Sequence, residues 1–175
     1  GGYTDIFYTG VLGPIIHADV ESLYPSIMIS KYISPRTDAL KVFHAALQHL
    51  TKLRLETKRK MKASENEFER ARLDAMQSSF KILVNSFYGY LGYARGIFND
   101  YAQADVVTTT GQELLRQMIH DIELHNGAVI EVDTDGLYFI QPDNVIGENA
   151  ERHFVERLSS VLPEGINLGF DGRYK

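Results

Sequence analysis

Asp133 and Asp135 stand two residues apart in the tetrapeptide Asp133-Thr134-Asp135-Gly136, and Asp19 closes the apolar run Pro14-Ile15-Ile16-His17-Ala18. Two like charges held close repel, and one of them normally takes up a proton. A divalent cation removes that conflict. Hard oxygen ligands, in a chain with no cysteine and no clustered histidine, favour magnesium or manganese over zinc. Asp-Thr-Asp-Gly is also a good turn sequence by itself, and an acid ending a strand can simply face water. Taken jointly, the three carboxylates form a candidate site at the edge of a sheet.

A second set of residues could meet an anion. Lys81, Asn85 and Tyr88 are spaced to share one face of a helix. Arg54 and Lys58 lie one helical turn apart, in a segment where Lys52, Arg59, Lys60 and Lys62 crowd around a single acid, Glu56. Such faces also occur as the solvated side of a helix. The chain of 175 residues has a formal net charge of -5, so any affinity for a polyanion must come from a local field. The histidines at 17, 44, 49, 120, 125 and 153 show no zinc-ligand spacing. No P-loop, Ser-His-Asp pattern, signal peptide or membrane-length apolar run is visible in these 175 residues.

These residues need elements to position them. The run ending at Asp19 reads as a buried strand, and Ser22-Leu23-Tyr24-Pro25 as a turn or helix start. From about Asp38 to Met61 the apolar residues Phe43, Leu47, Leu50 and Leu53 recur at helical spacing. Ala63-Ser64-Glu65-Asn66 reads as a break and a fresh N-cap. A second helix is expected from Glu67 to Tyr88, with Phe68, Ala71, Ala75, Phe80, Leu83 and Phe87 on its apolar side and Gly89 to Gly92 ending it. Two long helices with a short link predict an antiparallel hairpin. A third helix is expected over Tyr101 to His125. Val129–Val132 and Leu137–Ile140 then flank the Asp-Thr-Asp-Gly turn as a β-hairpin, with both aspartates exposed. A short helix from Glu148 to Leu162 and a strand from Leu168 to Phe170 complete the reading. The fold class is α+β: a small antiparallel sheet with packed helices and an inserted two-helix hairpin.

Asp19-Val20-Glu21-Ser22-Leu23-Tyr24-Pro25-Ser26-Ile27, Lys81-Ile82-Leu83-Val84-Asn85-Ser86-Phe87-Tyr88-Gly89 and Asp133-Thr134-Asp135-Gly136 resemble, in that order, motifs A, B and C of the family B DNA polymerases. The resemblance extends over nearly the whole chain. Gly1-Gly2-Tyr3 is similar to the tail of a Tyr-x-Gly-Gly element that contacts template. Phe170 to Lys175 is similar to the segment before a Lys-x-Tyr motif. Many members have serine where this chain has Gly136.

The resemblance implies a palm split between residues 1–37 and 91–175, with a fingers hairpin at 38–90. It implies template-directed nucleotidyl transfer from a dNTP to a primer 3′-hydroxyl, with two magnesium ions for which manganese can substitute. Asp19 and Asp135 would bind the metals, helped by the Val20 carbonyl, with Asp133 in a lesser role. Ser22, Leu23, Arg54, Lys58, Lys81, Asn85 and Tyr88 would surround the nucleotide, and Tyr24 would exclude a ribose 2′-hydroxyl. Gly2, Gly89 and Thr134 would lie along the DNA. Implied partners are primer–template DNA and dNTPs, with a clamp reached only through regions outside this chain and no membrane. The implied location is the nucleoid in a prokaryotic cell or the nucleus in a eukaryotic one. Nothing in the sequence resembles an exonuclease domain or a thumb, so the chain is expected to be an excised fragment that is weakly active or inactive alone. The competing expectations are a catalytically inactive polymerase-like DNA-binding or structural subunit, and a reverse transcriptase or other nucleotidyltransferase sharing the palm.

Overall fold

Strand β2 (Ile15–Val20) alternates strictly between part-buried and buried residues. Ile16, Ala18 and Val20 turn into the core, while His17 and Asp19 share the opposite face. That alternation decides where the acid of the first motif can point. The computed structural model describes residues 1–174, so Lys175, the last residue of the Phe170 to Lys175 resemblance, lies outside the described residues.

Five strands form one antiparallel sheet in the order β1-β3-β4-β2-β5. The others are β1 (Thr4–Ile6), β3 (Ala128–Asp133), β4 (Gly136–Ile140) and β5 (Leu168–Tyr174). β1 has only three residues, all exposed, and no sequence pattern announces it. β5 runs four residues beyond the expected Phe170, because β2 supplies a paired backbone where Gly172 weakens the strand pattern. One face of the sheet is covered by helices. α1 (Leu23–Ser30) packs on α4 (Tyr101–Leu124), α4 on β3, and α5 (Glu148–Ser160) on β5. Their shared core includes Ile27, Met28, Leu115, Met118, Ile122, Leu137 and Phe139, all at 0% exposure.

The hairpin consists of α2 (Val42–Ala63) and α3 (Glu67–Leu91), which pack chiefly on each other and meet the rest through α1 and α4. α2 starts after Asp38 rather than at it. The Asp38 carboxylate accepts from the N–H groups of Val42 (3.0 Å) and Phe43 (2.8 Å), so it caps the helix from outside. Asn66 is the N-cap of α3 as expected, accepting from the Glu69 N–H at 2.9 Å. The helix then continues through Gly89 and stops at Gly92.

The buried stripe of α3 differs from the expected one. Leu73, Val84 and Leu91 are buried and Phe80 and Phe87 half-buried, whereas Phe68, Ala71, Ala75 and Leu83 are exposed. A hairpin helix has a single partner along most of its length. It therefore buries a narrow seam at alternating four- and three-residue steps, and apolar residues outside that seam stay wet. Leu47 and Val84, both at 0% exposure, anchor the seam, each contributing about 1.5–3 kcal/mol of burial.

Candidate active site

Asp19 sits in register with Gly136 of β4 on one side and Gly169 of β5 on the other. Both cross-strand neighbours lack side chains, so neither covers the carboxylate. The next residue fixes the hairpin turn: the Val20 N–H donates to the Asp135 carbonyl at 2.8 Å. Asp133 and Gly136 pair across a two-residue loop in which Thr134 takes a left-handed φ of 57°. Asp135 is half-buried, not exposed as its place in a turn suggests, because β2 and the cleft wall close over it; Asp133 is exposed as expected.

Asp19 and Asp135 line one cleft of about 320 Å3 together with Ser22, Arg54, Lys58, Lys81 and Asn85. The two acids stand at the sheet end, and the cations come from α2 and α3. Burial pushes the Asp19 carboxyl up to about 6, and the negative charge of Asp135 adds to that rise; His17 and Lys81 oppose it. Asp135 is likewise raised, by burial first and then by Asp133, with Lys81 again opposing. Two half-buried acids each driven toward protonation are the arrangement a hard divalent cation relieves. No three histidine or carboxylate side chains converge among the described residues. The oxygen donors that fit such an ion are thus this pair and nearby backbone carbonyls.

The cations are not equivalent. Arg54 is 6% exposed, donates to the Ser22 hydroxyl at 2.6 Å and reaches Glu21 at 3.4 Å. Lys58 donates to the same Glu21 oxygen at 2.6 Å. Burial alone would push Glu21 up, but the Lys58 hydrogen bond and the charges of Lys58, Arg54 and Lys62 hold it below the usual glutamate range. Lys81 is exposed and makes no ion pair among the described residues.

Tyr24 lies beside the cleft, its ring centroid 4.4 Å from that of Tyr88. Burial, Tyr88 and Asp135 all push the Tyr24 phenol up. Gly111 of α4 makes room for it, since a Cβ there would come within 3.3 Å of the Tyr24 ring. Leu23 and Val20 point into the core. Gly2 and Thr134 adjoin each other, a Cβ on Gly2 falling 2.9 Å from the Thr134 hydroxyl oxygen, and Thr134 donates its N–H to the Tyr3 carbonyl. Gly89 is exposed on α3, with nothing near its Cβ position.

Six residues that line this cleft had no expected role from the sequence: Glu21, Asn167, Leu168, Gly169, Phe170 and Asp171. Glu21 lay inside the first motif but carried no assigned role. The residues from Asn167 to Asp171 line the cleft because β5 pairs with β2, a pairing that no local signal encodes.

A model of DNA polymerase family B matches residues 39–137, more than half of the chain. A DNA polymerase of Pyrococcus glycovorans is 34% identical over 99% of this chain and 26% of its own length. DNA polymerase 1 of Pyrococcus abyssi is 33% identical with the same coverage. A DNA polymerase of Thermococcus gorgonarius is 33% identical over 100% of this chain and 26% of its own. The chain thus spans about a quarter of the length of the curated relatives it matches.

Proposed function

The chain belongs to family B of the DNA polymerases, and on that premise we propose that it carries the palm and fingers of a template-directed DNA polymerase. In this reading the palm comprises residues 1–37 and 91–175, and the fingers are the hairpin at 38–90. The reaction joins a dNTP to a primer 3′-hydroxyl with loss of pyrophosphate. One observation carries the reading: acids from two separate motifs and cations from two separate helices face each other across a single cleft.

Asp19 and Asp135, with the Val20 carbonyl, would hold two magnesium ions, or manganese in their place. When bound, such ions lower the pKa of a hydroxyl and neutralise charge building on phosphate oxygens. The remaining tasks fall to the chain's own side chains. Arg54, Lys58 and Lys81 neutralise and orient the triphosphate, and Ser22 and Leu23 offer it backbone groups. Asn85 and Tyr88 line the nucleotide, while the Tyr24 ring fills the space that a 2′-hydroxyl would need. Asp133 adds negative charge at the turn. Gly2, Gly89 and Thr134 meet the DNA, the first and last together at one edge. Much DNA affinity comes from phosphate contacts spread along a duplex. The densest run of basic residues, Lys52 to Lys62, lies on α2, and in this reading extension by these 175 residues alone is weak.

Primer extension with magnesium by a full-length enzyme that contains these residues tests the proposal. Asp19→Ala and Asp135→Ala each reduce incorporation to background, and Tyr24→Val raises incorporation of ribonucleotides relative to deoxynucleotides. Undiminished incorporation by either aspartate variant would move the chemistry to another site.

A further inference from the structure

Glu21 lines the same cleft as Asp19, Asp135 and the cations of α2 and α3, and its backbone is tied on both sides. Its N–H donates to the Asn167 carbonyl at 2.9 Å, and its carbonyl accepts from the Ser26 hydroxyl at 3.0 Å. Only the side chain is free to move. One carboxylate oxygen, Oε1, takes both Lys58 Nζ at 2.6 Å and Arg54 Nη2 at 3.4 Å. The pair are the α2 cations that line the cleft; the third cleft cation, Lys81, is left unengaged among the described residues. Arg54 is under-used as well, since its buried Nε has no partner. Nη1 already donates to the Ser22 hydroxyl at 2.6 Å, so Nη2 is the Arg54 group that a competing anion would take from Glu21.

A phosphate oxygen entering this cleft would want the same donors that Glu21 holds. Both ligands are anions, and two anions cannot share Lys58 and Arg54 at hydrogen-bond distance without repelling. The geometry points to Glu21 as a built-in competitor for the phosphates: a carboxylate that holds Arg54 and Lys58 in the nucleotide-free cleft and must be displaced by the incoming triphosphate. This rests on the reading of the cleft as a nucleotide site. Displacement is feasible because the Glu21 and Lys58 side chains are each about one-third exposed, at 34% and 35%, so the freed carboxylate can swing to water. The competitor also sets a threshold. A ligand that reaches only Lys81 gains nothing by displacing Glu21, whereas a triphosphate long enough to span Lys81 and both α2 cations recovers the loss.

The test is calorimetric titration of the chain with inorganic tripolyphosphate, in EDTA and low salt so that metal binding plays no part. Glu21→Gln keeps the shape and removes the charge; it binds tripolyphosphate about tenfold tighter than the unmodified chain. Adding Lys58→Ala to Glu21→Gln removes most of that gain. Thermal melting of each variant separates the idea from a structural brace, which would lower the melting temperature and leave the affinity unchanged. If Glu21→Gln fails to fold, Glu21→Asp serves instead. It retains the charge but is too short to hold Lys58 at 2.6 Å, so it too binds tighter. Equal affinities for the variant and the unmodified chain overturn the competitor role while leaving the nucleotide site standing. Absence of binding by every form, with either tripolyphosphate or magnesium-dATP, overturns the site and the competitor together.

Discussion

The Val20 N–H donates to the Asp135 carbonyl across 2.8 Å, so the two carboxylate-bearing elements are joined by backbone. Side-chain repulsion between Asp19 and Asp135 cannot separate them without breaking that bond and the β2–β4 ladder next to it. The fold thereby holds two acids closer than their charges favour. A site of the kind proposed commonly exchanges stability for chemistry in this way.

That exchange predicts a stabilising substitution. Asp19 titrates near 6 in the folded chain, above its ordinary 3.8, through burial first and Asp135 second. Between those values the folded state binds a proton that the unfolded state does not. The Asp19 contribution to stability is therefore fully present at acid pH, is lost as pH rises through about 6, and is flat above. Asp19→Asn removes the charge and keeps the shape. At pH 8 it should melt about 3 °C higher, a gain near 1 kcal/mol after allowing for solvent screening of a half-exposed group. The gain should vanish below about pH 4 and shrink when magnesium is added to the parent chain. Melting curves at the two pH values decide it; a variant less stable than the parent at pH 8 would refute the strain.

Asp100 should behave in the opposite sense. Its buried carboxylate accepts from the Arg36 backbone N–H (3.0 Å), Arg36 Nε (2.9 Å) and Nη2 (3.2 Å), and from the Gln103 N–H at the start of α4 (3.3 Å). Those Arg36 hydrogen bonds draw its pKa down to about 2. With the folded value below the unfolded one, the stabilisation is present above about pH 4 and is lost as pH falls toward 2. Asp100→Ala should cost about 2–3 kcal/mol at pH 7, the loss of a helix cap plus charged hydrogen bonds. Urea denaturation at pH 7 and pH 2.5 should show that difference shrinking in acid; a constant difference would assign it to packing instead.

These two acids also show what a sequence can disclose. Asp19 was legible because its surroundings are local: an apolar strand before it and a turn-forming segment after it. The hairpin bearing Asp135 was legible for the same reason, and so was the N-cap at Asn66. Asp100 stands where a helix N-cap belongs, but its pairing with Arg36 gave no signal, since Arg36 lies 64 positions away and only the packed fold joins them. The stripe of α3 was misjudged because residue type fixes apolarity but the partner's width fixes which apolar residues are covered. Glu21 stood within a recognised motif, yet its meaning depends on α2 folding back over it.

The glycine at 136 yields the last prediction. A Cβ at that position would lie 2.9 Å from His17 Nε2, closer than real Cβ contacts allow. His17 cannot easily yield. Its ring stacks on Tyr138 at 4.2 Å and 6°, and its Nδ1 lies 3.0 Å from an Asp171 carboxylate oxygen. Gly136 is thus coupled to the histidine beside it, and serine, the residue at this place in many family members, fits only with a smaller neighbour at 17. Gly136→Ser alone should cost about 1–2 kcal/mol in denaturant unfolding. In the double variant with His17→Ala, the serine should cost almost nothing, giving a coupling energy above about 0.5 kcal/mol. Strictly additive effects in that cycle would show that the histidine moves aside freely and that the glycine answers to some other constraint of the turn.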